Sequence, residues 1–129
     1  MKFNFSFSIF FLSIFAVLLA GCQNAPASPP PATLTAIEVQ GQQVFNLHCA
    51  TCHSTNPDTV IVGPSLAGIA TRAGERVEGM EATAYIQTSI LKPGAYLVPG
   101  FPDAMLPELA KQLTSEDFDA VVAYLLTLK

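Results

Sequence analysis

Cys49-Ala50-Thr51-Cys52-His53 is the stretch on which the reading of this chain turns. Two cysteines separated by two residues, with a histidine directly after the second, form the attachment pattern for a haem c. The spacing has a chemical reason. Each thiol adds across one vinyl group of the porphyrin, and two intervening residues let one short helical turn reach both vinyls. The histidine then lies beneath the ring, where its imidazole can ligate the iron from the proximal side.

Two plainer readings compete for the same residues. Half of a zinc site would need two further ligands at usable spacing. The remaining cysteine is Cys22 and the remaining histidine is His48, directly before Cys49. Adjacent residues in a turn rarely both reach one metal. A thioredoxin-like dithiol would need a βαβ context, and no stretch of this chain alternates convincingly as a strand. The haem reading is therefore the one carried forward.

Upstream of the motif the chain changes character twice. Its 129 residues are half hydrophobic, a figure inflated by the first twenty. Met1 and Lys2 form a short basic start, and an apolar run from about Phe7 to Ala20 comes next. That length suits a signal peptide and is short for a membrane span. Leu19-Ala20-Gly21-Cys22 closes the run and resembles the lipobox of bacterial lipoproteins. The resemblance implies that residues 1–21 are a lipoprotein signal peptide and that Cys22 becomes a lipidated N-terminus. The competing reading is an uncleaved N-terminal helix with an incidental cysteine. Two or three acyl chains make a stable anchor where one binds only marginally, and lipidation also disposes of an odd thiol in an oxidising compartment. Residues 22–35 are small, proline-rich and uncharged. Such a segment reads as a semi-extended tether, holding the downstream domain about 30 Å off a bilayer at ~3 Å per residue.

Residues 36–129 are expected to form the one folded domain. A core of that size is marginal by itself, and a buried macrocycle would supply apolar mass. A first helix is predicted from about Thr35 to Cys49, with Val39, Val44, Phe45 and Leu47 as its apolar positions. Gly41 interrupts it at a cost of about 1 kcal/mol relative to alanine, which marks a close approach by another element. The last helix is the expected neighbour. Thr114 is its N-cap, Glu116 and Asp117 favour its first turn, and Phe118, Val121, Val122, Leu125 and Leu126 form one stripe. A third helix is predicted over Ala82 to Leu91, with Ala82, Tyr85, Ile86, Ser89 and Ile90 on one face and Lys92-Pro93-Gly94 stopping it. A short helix is expected around Leu66 to Thr71. The fold class is all-α.

With these elements in place the chain resembles a class I cytochrome c, the small monohaem electron carrier whose N- and C-terminal helices cross near the haem. The matching residues are Gly41 and Phe45, the Cys49–His53 motif, Gly63-Pro64-Ser65-Leu66, Tyr85 to Ile90, and Ala123-Tyr124-Leu125. The resemblance implies a single covalent haem c on Cys49 and Cys52, with His53 as an iron ligand. It also implies that Pro64 lies beside the proximal imidazole, where a nearby backbone carbonyl accepts its Nδ1–H and raises its basicity. In the family the distal methionine sits in the loop before the last helix, usually directly before a proline. Met105 is the expected sixth ligand, although Leu106 separates it from Pro107; Met80 or an open position is the alternative. Arg72 is either a propionate partner or an ordinary exposed arginine, and Tyr96 is expected near the same edge. His48 is too close to the attachment site to reach the distal side.

These readings carry a functional expectation. The family attaches its haem outside the cytoplasmic membrane, so export and haem attachment name the same compartment, periplasmic or facing the cell exterior. Lys2 is the only basic residue before Cys22, so five basic and ten acidic side chains remain after it, a formal charge of −5. That balance argues against nucleic acid and for redox protein partners with basic patches, including membrane complexes. No paired carboxylates, nucleophile–base pair or phosphate loop suggests catalysis by side chains. The expected function is a membrane-tethered one-electron carrier or electron-transfer subunit of a respiratory or photosynthetic chain. A haem-based sensor with a labile sixth position is the alternative from another class, and a peroxidase a third.

Overall fold

Thr35 begins the folded chain by hydrogen bonding, its backbone N–H and its hydroxyl both donating to Glu38 Oε2 at 2.6 and 2.8 Å. The computed structural model describes residues 33–129, which form one compact unit. The expected signal peptide, the lipobox with Cys22, and all but the last residues of the tether lie outside the described residues. Helix α1 spans Ala36–His48 and ends where the Cys49 N–H donates to Phe45 O. A single turn, α2, covers Ile69–Arg72 and tightens into a 3-10 turn at Ala73–Glu75. Helix α3 spans Ala82–Leu91 and is succeeded by a 3-10 turn at Pro93–Ala95. A longer 3-10 segment, Pro107–Gln112, leads into the final helix α4, Ser115–Leu125. Among the described residues there is no strand, as expected of an all-α domain. None of the described helices is long and apolar enough to cross a membrane.

The pairing of α1 with α4 is the main packing of the domain, and Gly41 is what permits it. A Cβ built at Gly41 would lie 1.9 Å from the Ala120 carbonyl oxygen and 2.8 Å from Tyr124 Cβ. No side chain fits there, so the two backbones touch. Around this contact Val44, Phe45, Val121, Tyr124 and Leu125 are buried, with the Phe45 and Tyr124 rings 5.6 Å apart at a tilt of 52°. Burying an aliphatic side chain such as Val121, which is 0 % exposed, contributes about 1.5–3 kcal/mol. A polar tie closes the edge of the pair: Gln40 Nε2 donates to Asp117 Oδ1 at 3.1 Å. Helix α3 adds Tyr85, Ile86 and Ile90 to the same core, and Tyr96 meets Tyr85 edge-on at 5.7 Å.

Three expectations are corrected. Val39 and Leu47 are 42 and 74 % exposed. At about 100° per residue they share the Gln43 side of α1, away from the Gly41, Val44 and Phe45 face that meets α4. In α4, Phe118 and Leu126 are only half-buried, while Ala120 and Tyr124 are buried. The helix is packed by α1 on one side and α3 on another, so its buried arc is wider than one stripe. Finally, the short helix expected around Leu66 starts at Ile69. Gly68 holds φ +67° at its N-cap, a left-handed conformation that interrupts any helix running through it.

Candidate functional site

The end of α1 delivers the five-residue motif as a turn. The N–H groups of Cys49 and Ala50 both donate to Phe45 O, at 2.8 and 2.9 Å. Those of Cys52 and His53 both donate to Cys49 O, at 3.0 and 2.9 Å. The two thiols thus sit three residues apart on one helical-type turn, free of any disulfide. Cys49 is half-buried and Cys52 exposed. Burial first, and the neighbouring Cys52 second, push the Cys49 thiol up to about 11.

His53 is half-buried and its orientation is set by a loop. Its Nδ1 lies 2.8 Å from the carbonyl oxygen of Pro64. A carbonyl can only accept, so Nδ1 carries the proton and Nε2 keeps its lone pair for a metal. The approach of the loop is close. A Cβ at Gly63 would sit 2.3 Å from His53 Cε1 and 2.8 Å from Nδ1, so only glycine lets the backbone lie against the ring. The loop start is tied to the motif itself, with the Val62 and Gly63 N–H groups both donating to Cys52 O at 3.2 and 2.9 Å. Farther along, Leu66 N–H donates to Ser54 O at 2.7 Å and the Ser65 hydroxyl to Asn56 O at 2.7 Å.

The remaining candidates divide. The carbonyl that meets the His53 imidazole is that of Pro64 itself. Met80 and Met105 are both half-buried against the core, so burial does not separate them. Met105 belongs to the loop preceding Pro107–Gln112, and Met80 closes a turn on Val77 O at 3.1 Å just before α3. Arg72 is not the ordinary exposed arginine of the second expectation. It is half-buried, and its guanidinium donates to the Ala67 carbonyl and, at 2.9 Å, to the Ser65 carbonyl. Gly63 is a matching position of the family to which no role was attached. Its contact with the imidazole depends on how segments about ten residues apart fold together, which spacing alone does not reveal.

The donor set suits haem c. Two unpaired thiols stand on one turn with an imidazole whose outer nitrogen is engaged and whose inner nitrogen is free. Zinc has less to recommend it, because among the described residues no three His, Cys, Asp or Glu side chains gather into a metal cage. A helical domain built in this way defines a protein that carries haem on thioether links. Residues 38–129 match the family model described as cytochrome c, and the chain belongs to that family. Its cofactor is accordingly a covalently bound haem c and its work is electron transfer. No sequence among curated proteins matches the chain.

Proposed function

We propose that this chain is a class I, lipid-tethered one-electron carrier, or the electron-transfer subunit of a respiratory or photosynthetic complex, in which His53 and Met105 would ligate the iron and Cys49 and Cys52 would form the thioether links. The observation that carries the reading is the 2.8 Å contact between His53 Nδ1 and the Pro64 carbonyl, directly after two free thiols. Bound there, haem c supplies the Fe(III)/Fe(II) couple. The chain does the rest. Cys49 and Cys52 fix the macrocycle to the end of α1. Pro64 holds the His53 ring in one tautomer and raises its basicity. Met105 offers a soft, neutral thioether, which together with low polarity favours the ferrous state. Lipid on Cys22 would keep the domain at a membrane surface, and the acidic charge suits docking onto basic patches of redox partners.

Four measurements test this. Exported, purified protein should carry one haem that acidified acetone does not extract. The oxidised protein should show the weak far-red sulfur-to-iron band, lost in Met105→Ala and kept in Met80→Ala; the reverse pattern would move the ligand to Met80. Cys22→Ser should release the protein from membranes and stop its labelling by radioactive palmitate. Carbon monoxide separates this reading from a sensor, because rapid binding to the reduced protein at neutral pH indicates an open sixth position.

A further inference from the structure

We propose that Arg72 is a positioning residue for the proximal imidazole, acting through the loop it grips. The proposal rests on the reading of His53 as an iron ligand and goes beyond it. The Pro64 carbonyl belongs to the peptide shared with Ser65, and the preceding Gly63–Pro64 peptide has no N–H with which to anchor the turn. The direction of the Pro64 carbonyl is set by its neighbours. On the upstream side Gly63 N–H is held by Cys52 O at 2.9 Å. On the downstream side Arg72 reaches back from α2, its two terminal nitrogens donating to the Ser65 and Ala67 carbonyls. Gly68 makes room for this. It turns the chain with φ +67°, and a Cβ there would lie 3.0 Å from Arg72 Nη1. Among the described residues no carboxylate pairs with Arg72, so the guanidinium spends its donors on backbone. Charge-assisted bonds from a planar fork to two carbonyls are strong and geometrically exacting. Lysine, a single point charge, cannot reproduce them.

This differs from a role in pairing with a haem propionate, and the two are separable in the holoprotein. Arg72→Lys keeps the charge and loses the fork; Arg72→Met loses both. The clamp predicts that in both variants the His53 Nδ1–H, monitored by proton NMR of the ferrous protein, exchanges with solvent roughly tenfold faster or more. It also predicts that the pH profile of the reduction potential keeps its inflection in Arg72→Lys. Unchanged exchange in both variants, with the His53 ring protons still strongly ring-current shifted, would overturn the clamp alone. So would Arg72→Lys behaving as wild type in exchange while Arg72→Met moves the inflection, since that marks a carboxylate partner. His53 ring protons without a ring-current shift in the wild-type protein would overturn the ligand reading and the clamp with it.

Discussion

At the scale of single residues the site depends on what His53 does with two nitrogens. Nδ1 is committed to Pro64 O, which leaves Nε2 as the donor. That commitment requires Gly63 to have no side chain. Gly63→Ala places a methyl 2.3 Å from the ring, so either the loop retreats or the ring turns. Overpacking of this kind costs about 1–3 kcal/mol. Denaturant unfolding of the holoprotein should show that loss, accompanied by a changed reduction potential, because retreat of the loop weakens the bond on Nδ1. The attachment motif was legible because covalent chemistry dictates its spacing locally. The contacts of Gly63 and Arg72 were not, because their partners, a ring and two carbonyls, are brought near only when the loop folds back.

At the scale of elements, helix ends and helix contacts obey different rules. Thr114 caps α4 as its sequence suggests: Asp117 N–H donates to the Thr114 hydroxyl oxygen at 3.1 Å, and the hydroxyl donates to Asp117 Oδ2 at 2.9 Å. Thr114→Ala should cost about 1 kcal/mol, read as a lowered midpoint of thermal unfolding. Gly41 gives the opposite lesson. Local propensity favours alanine in a helix by about 1 kcal/mol, yet a Cβ there would meet the Ala120 carbonyl at 1.9 Å. Gly41→Ala should therefore destabilise the domain despite its better propensity, and Gly41→Val more so, checked by the same unfolding assay. The bounds of α3 were legible because Lys92-Pro93-Gly94 stops it chemically. The exposure of Val39 and Leu47 was not, since an apolar residue on the free side of α1 carries the same hydropathy as one on the packed side.

At the scale of the whole molecule, charge and its placement decide behaviour in solution. The carboxyl of Glu38 is held below its usual range by the Thr35 backbone N–H first and the Thr35 hydroxyl second. That of Asp117 is lowered by Gln40 first and Thr114 second. Both groups have folded values below their unfolded ones. Their stabilisation is therefore present above the unfolded values, near about pH 4, and is lost as pH falls through the folded values. Stability of the holoprotein measured against pH should decline on that acid limb, and the decline should be shallower in the double variant Glu38→Gln, Asp117→Asn. The acidic balance has a kinetic signature too. Electron transfer from a small cationic reductant should slow as salt is added, while transfer to an anionic oxidant should quicken, because screening removes attraction in one case and repulsion in the other.

By itself the sequence determined what is local along the chain: two thiols and an imidazole at the spacing of a haem c attachment motif, where helices are capped and stopped, and that the class is all-α. These depend on bond reach and on hydrogen bonds between residues three or four apart. Only the tertiary structure decided which glycines are indispensable, which face of α1 is covered, and that Arg72 grips the loop beneath His53. Those outcomes depend on contacts between segments distant in the chain, where the controlling quantity is the space left between two backbones.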